Sequence, residues 1–100
     1  MNTTFTLGDT EKIEVKLKRN QFTGKFIYSE NGAIKVLRSP IDKTTHLPLG
    51  NVAYYYFTVG QYEKFDIRVI HSWPDQFPAF KPQKYELYIN GEYFKTIESY

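Results

Sequence analysis

The chain has 100 residues, 41% of them hydrophobic and 18% aromatic, with 13 basic against 11 acidic side chains and a formal net charge of +2. That length suits one domain with one core and is too short for two, and the charge balance is too small to imply nucleic acid or an anionic membrane as the partner. With no cysteine there is no disulfide framework, no thiolate metal site and no cysteine nucleophile.

The start of the chain, Met1 to Gly8, lacks the apolar run behind a basic start that marks a signal peptide, and no stretch approaches the roughly 18 apolar residues of a membrane span. The expectation is a soluble, cytoplasmic protein. The first strand is predicted over Thr4–Leu7, closed by Gly8. Lys12-Ile13-Glu14-Val15-Lys16-Leu17-Lys18 alternates strictly between polar and apolar, as a strand with one face in water requires. Strands over Lys25–Glu30 and Ala33–Arg38 flank Asn31-Gly32, and a type I′ turn needs positive φ at both central residues, so Asn-Gly signals a tight hairpin. Ser39–Asn51 reads as a linker with Pro40, Pro48 and Gly50. Beyond it, strands are predicted over Val52–Val59, Glu63–His71, Lys84–Asn90 and Glu92–Glu98, with a turn at Gly60 and a second Asn-Gly hairpin at Asn90-Gly91. No helical period persists over ten residues, so no substantial helix is expected.

The second half echoes the first. Phe5–Leu17 aligns with Phe57–Val69 at an offset of 52 residues, with five identities and six conservative matches that include glycine and polar positions. Tyr28 before Asn31-Gly32 is matched with Tyr88 before Asn90-Gly91. The expected architecture is therefore an all-β, eight-stranded antiparallel β-sandwich, or flattened barrel, built from two pseudo-repeated four-strand units: residues 3–38, a linker 39–51, and residues 52–100, in a single domain 1–100. Ile13, Val15, Leu17, Phe57, Phe65, Ile67, Val69, Leu87 and Ile89 form its expected core. The Asn-Gly landmarks lie 59 residues apart, seven more than the strand offset, so the second unit carries an insertion between Val69 and Tyr88. The unusual segment there is His71–Gln83, with the one tryptophan, two phenylalanines and prolines at 74, 78 and 82, which forbid a ladder strand.

Catalytic and metal signatures are missing. His46 and His71 fall in or beside loops without metal-ligand spacing, and a loop histidine is ordinarily solvated. His71, Ser72 and Asp75 are neighbours in sequence, whereas hydrolytic triads are assembled from distant segments over an oxyanion hole. Glu11 with Glu14, and Glu63 with Asp66, read as surface charges paired across strands. No phosphate-cradling glycine motif is present. Neither an enzyme, a cofactor nor a metal is expected. Lys12, Lys16, Lys18, Arg19 and Lys25 cluster in the first unit, and Tyr54 and Tyr56 share a strand face, which gives an alternative reading as a single-stranded nucleic-acid binder. Eight basic against five acidic residues over Met1–Val52 argue against it.

The pattern Glu11-Lys12-Ile13-Glu14-Val15, Thr23-Gly24-Lys25 and a strand closing on a glycine turn resembles the β-sandwich proteins related to Fas apoptotic inhibitory molecule. Val59-Gly60 with Glu63-Lys64, and Leu87-Tyr88-Ile89-Asn90-Gly91-Glu92, match that family's strand pair and hairpin. Asn stands for Asp in both turns, the chain is as long as one such domain, and the aromatic insertion after His71 is additional. The resemblance implies a non-catalytic sandwich acting through protein partners. The expected function is a small binding module with a protein partner, its contact centred on Trp73, Phe77 and Phe80 with Tyr93 as a neighbour. Assembly through strand edges, including homo-oligomers, is a further alternative.

Overall fold

The computed structural model describes residues 1–20, 22–38, 52–73 and 82–99. Among the described residues eight strands run in chain order: β1 (Asn2–Leu7), β2 (Ile13–Arg19), β3 (Phe26–Glu30), β4 (Ala33–Arg38), β5 (Val52–Val59), β6 (Phe65–Ser72), β7 (Gln83–Ile89) and β8 (Glu92–Ser99). They form two four-stranded antiparallel sheets, β1-β2-β3-β4 and β5-β6-β7-β8, so each half of the chain makes its own sheet. Alternation is why: in β2 and β5 every second residue is buried, and burying one face of each sheet against the other removes both apolar faces from water.

Strand pairing repeats between the halves. Phe5 pairs with Val15 and Leu7 with Ile13 in the first sheet, while Phe57 pairs with Ile67 and Val59 with Phe65 in the second, which preserves the 52-residue offset. The turns repeat as well. Gly8 and Gly60 sit at φ +92° and +99°, and a Cβ on either would fall 2.0 or 1.9 Å from the carbonyl oxygen of Glu11 or Glu63, a space only glycine tolerates. Asn31 and Asn90 take left-handed φ of 49° and 52°. Each side-chain oxygen accepts the N–H of the strand opposite, Glu14 at 2.7 Å and Asp66 at 2.8 Å, and each backbone N–H returns a bond to the same residue's carbonyl.

Two sequence expectations shift in register. Tyr28 pairs with Leu17, but Tyr88 pairs with Arg68; the residue equivalent to Tyr28 is Leu87, which pairs with Val69. Tyr28 therefore points into the core and Tyr88 away from it, because a one-residue slip in a strand exchanges its faces. The insertion is narrowed by the same pairing: Arg19 pairs with Phe26 and His71 with Tyr85, so the seven additional residues lie between His71 and Tyr85.

The core contains Ile13, Val15, Leu17, Phe57, Ile67, Val69 and Leu87, as expected, while Phe65 and Ile89 are only partly buried against it. Aromatic rings join the sheets: Tyr28 stacks on Phe57 with centroids 4.0 Å apart, Phe26 meets Tyr55 at 4.9 Å, and Phe26 meets Tyr85 edge-on at 6.1 Å. At one side β1 faces β8 through Phe5 and Phe94 at 5.2 Å and a hydrogen bond from Lys95 Nζ to Thr3 Oγ1. At the opposite edge β4 is far less covered, with Ala33, Ile34, Lys35 and Val36 exposed on both of its faces.

The two sheets are also tied at the turn end. Glu11 Oε1 accepts the backbone N–H groups of Gln61 and Tyr62 at 3.1 and 3.2 Å, and Glu30 Oε2 accepts that of Gly60 at 3.1 Å. The backbone hydrogen bonds to Glu11, that of Gln61 first, hold its carboxyl below its ordinary pKa against a smaller opposing effect of burial. The cross-strand charge pairing expected for the acidic pairs is not what forms here. Glu11 reaches the other sheet's turn, and Asp66 accepts from the Thr58 hydroxyl at 3.2 Å.

Candidate functional site

The alternation that builds the core places the complementary residues of β5–β8 on one outer face. There Tyr56 is paired with Arg68, Arg68 with Tyr88, and Tyr88 with Tyr93, giving one row across all four strands of the second sheet. The Arg68 guanidinium lies 5.2 Å from the Tyr56 ring centroid, within cation–π range. Tyr88 and Tyr93 meet edge to face at 5.8 Å. The hydroxyls are oriented too: Tyr88 donates to Glu86 Oε2 at 3.2 Å, and Tyr93 shares a 2.6 Å hydrogen bond with Thr96. Burial, reinforced by the Glu86 carboxylate, pushes the Tyr88 hydroxyl above its ordinary pKa. Tyr54 lies one row along, paired with Ile70, and a shallow hollow of about 360 Å³ opens beside Tyr56, Thr58, Asp66, Arg68 and Gly91.

The residues expected at a site are divided among different places. Trp73 is partly buried, packs on the core and sits with its ring 5.1 Å from that of His71. Phe77 and Phe80 lie outside the described residues, as do His46 and Asp75. Tyr93 is not beside Trp73. It pairs with Tyr88 at the hairpin end of β7, whereas Trp73 follows Ser72, which pairs with Lys84; four residues of β7 separate those rows, about 13 Å at the rise of a strand.

His71 corrects the expectation of a solvated loop histidine. It is the inward-facing residue near the end of β6, 2% exposed, stacked on Tyr85 at 4.4 Å and hydrogen-bonded through Nε2 to the side-chain oxygen of Gln83. Ser72, the next residue of the strand, faces the other way, so pleating alone keeps its hydroxyl from the imidazole. Among the described residues no group of three or more His, Asp or Glu is arranged to hold a metal ion.

The basic set also separates. Lys16 and Lys18 project from the outer face of β2, and Lys25 joins Lys18 at a cleft of about 190 Å³ with Asn20, Thr23 and Ile27. Lys12 sits at the far end of β2. Arg19 turns inward, where its Nη1 donates to the Tyr85 hydroxyl at 3.4 Å. Burial raises the pKa of that hydroxyl, an effect the Arg19 charge partly offsets. Tyr54 and Tyr56 are on the outer face of the other sheet, so the structure does not join rings and lysines into one surface.

The Tyr56–Arg68–Tyr88–Tyr93 row was not anticipated, although one signal was present. A two-residue turn at Asn90-Gly91 fixes Ile89 opposite Glu92 and Tyr88 opposite Tyr93. The partnership of Tyr56 with Arg68 needs the register across the Gly60 turn. Among the described residues no helix is long and apolar enough to cross a membrane. No family model matches the chain, and neither a curated protein nor a solved structure is similar to it.

Proposed function

We propose that the protein is a non-catalytic binding module that holds a protein partner on the outer face of its second sheet. The observation carrying this reading is the Tyr56–Arg68–Tyr88–Tyr93 row. Tyrosine and arginine are the residue types enriched at energetic centres of protein interfaces. A tyrosine has few torsions to freeze, and these are already restrained by cation–π, edge-to-face and hydroxyl contacts, so little order remains to be gained on binding. The resemblance to the relatives of Fas apoptotic inhibitory molecule supports the same class of role. The inserted segment with Trp73, Phe77 and Phe80 is a second candidate contact, and of these Trp73 lies at the end of the second sheet away from Tyr93.

Affinity capture from the source cell with wild-type protein, Tyr56→Ala/Arg68→Ala and Phe77→Ala tests it. A partner retained by wild type and by Phe77→Ala but lost by the double variant, with unchanged melting temperature, is the expected result. A partner lost only by Phe77→Ala moves the site to the loop, and retention by both variants removes both.

A further inference from the structure

The outer face of the first sheet is a different surface, independent of the tyrosine row. Cross-strand pairing sets Lys18 beside Ile27 and Ile27 beside Val36 in one row, and Lys16 beside Ser29 and Ser29 beside Ile34 in the next. Lysines line one side of the patch and β-branched aliphatics the other. Ile34 and Val36 are 68% and 54% exposed, on an edge strand with little cover from the second sheet. At the end of the patch the β2–β3 connection is held in shape by Asn20, whose side-chain oxygen accepts the N–H groups of Phe22 and Thr23 at 2.8 and 3.1 Å. This turn presents Phe22 at 89% exposure. Beside it, the cleft lined by Lys18, Asn20, Thr23, Lys25 and Ile27, about 190 Å³, offers two ammonium groups, a hydroxyl and an amide to an anion.

We propose that this face docks on an anionic lipid surface, with Lys16, Lys18 and Lys25 meeting phosphate and carboxylate headgroups while Phe22, Ile34 and Val36 enter the acyl boundary. Charge complementarity selects an anionic occupant, and the apolar groups select among anionic occupants. A nucleic-acid strand gains from several rings that stack on bases, whereas this surface offers one ring, Phe22 in the turn, beside the aliphatic Ile27, Ile34 and Val36, which have no π-face and do partition into lipid. A protein interface would be expected to draw on Tyr, Trp or Arg, which the described part of this sheet face also lacks. The small whole-chain charge conceals the asymmetry, because on the other outer face Arg68 and Lys84 alternate with Asp66 and Glu86, whereas on this face Lys16 and Lys18 outnumber Glu14. Basic residues near a negatively charged leaflet and apolar side chains at its boundary contribute together, and neither suffices alone.

Flotation with phosphatidylcholine vesicles, with and without phosphatidylserine, tests the proposal, using the whole chain and a melting curve for every variant. Wild type is expected to float only with phosphatidylserine, and less at high salt. Lys16→Gln/Lys18→Gln/Lys25→Gln should weaken binding by about a hundredfold. Ile34→Thr/Val36→Thr, which keeps β-branching on the edge strand, should weaken it by about tenfold. No flotation with phosphatidylserine overturns the proposal. So does binding that the threonine variant leaves intact and an oligonucleotide competes away, which would make the face a polyanion site. A threonine variant that only converts a dimer to a monomer in light scattering would instead identify β4 as a self-pairing edge.

Discussion

The two halves of this protein have nearly the same interior and quite different exteriors. Inward-facing positions correspond at the 52-residue offset, Val15 with Ile67 and Leu17 with Val69, and so do the glycine and asparagine turn devices. Facing outward, the first sheet carries Lys16, Lys18, Ile27, Ile34 and Val36, and the second carries Tyr54, Tyr56, Arg68 and Tyr88. The turns and the interior are held by sterics that both halves share, whereas outer-face residues are free to diverge wherever solvent or a partner is the neighbour. The edge strands diverge with them: β8 is partly covered by β1, and β4 is not covered to the same extent.

The largest expected effect tests the equivalence of the interiors. Ile67→Asp and Val15→Asp each bury a carboxylate in a dry core and should cost several kcal/mol, unfolding the domain or nearly so in urea titration. If one is tolerated, the halves are not equally part of one core. Next come the turns. Gly8→Ala and Gly60→Ala each force a Cβ onto a backbone oxygen at positive φ, and each should lose more than about 1 to 3 kcal/mol, by similar amounts. Unequal losses would show that one half has slack at the turn that the other lacks.

Acid sharpens the comparison where the sheets are tied together. Because Glu11 titrates below its ordinary pKa in the folded protein, its contribution is complete above the usual carboxylate range and is lost as pH falls through the lowered value. Glu11→Gln should therefore flatten the acid limb of stability against pH, measured by chemical denaturation at a series of pH values, and a limb unchanged in slope would remove that role. The smallest effect is expected on the outer face: Tyr56→Ala should change stability by no more than about 1 kcal/mol, since its Arg68 contact is solvent-exposed.

Much of the fold was legible in local chemistry. Strict alternation in Ile13–Lys18 and the two Asn-Gly pairs specify strands and hairpins because pleating has a period of two and a type I′ turn requires left-handed φ. Matching Tyr28 to Tyr88 failed because residue type is a poorer guide to equivalence than counting back from the turn, and one residue of slip reverses the face. His71 was misread for a related reason. A polar residue at the end of a strand looks solvated until its partners are known, here Gln83, Tyr85 and Trp73, two of them beyond the insertion.

The sequence by itself determined the strand count, the hairpins, the two-unit organisation and most of the core, all of which follow from interactions within a few residues or from simple alternation. Only the tertiary structure decided which outward residues become neighbours. The Tyr56–Arg68–Tyr88–Tyr93 row depends on register across three strand pairs, the Glu11 tie on two turns from different halves meeting at one end, and the exposure of β4 on how one sheet is set over the other. Those are long-range placements fixed by packing of the whole core, and no local pattern encodes them.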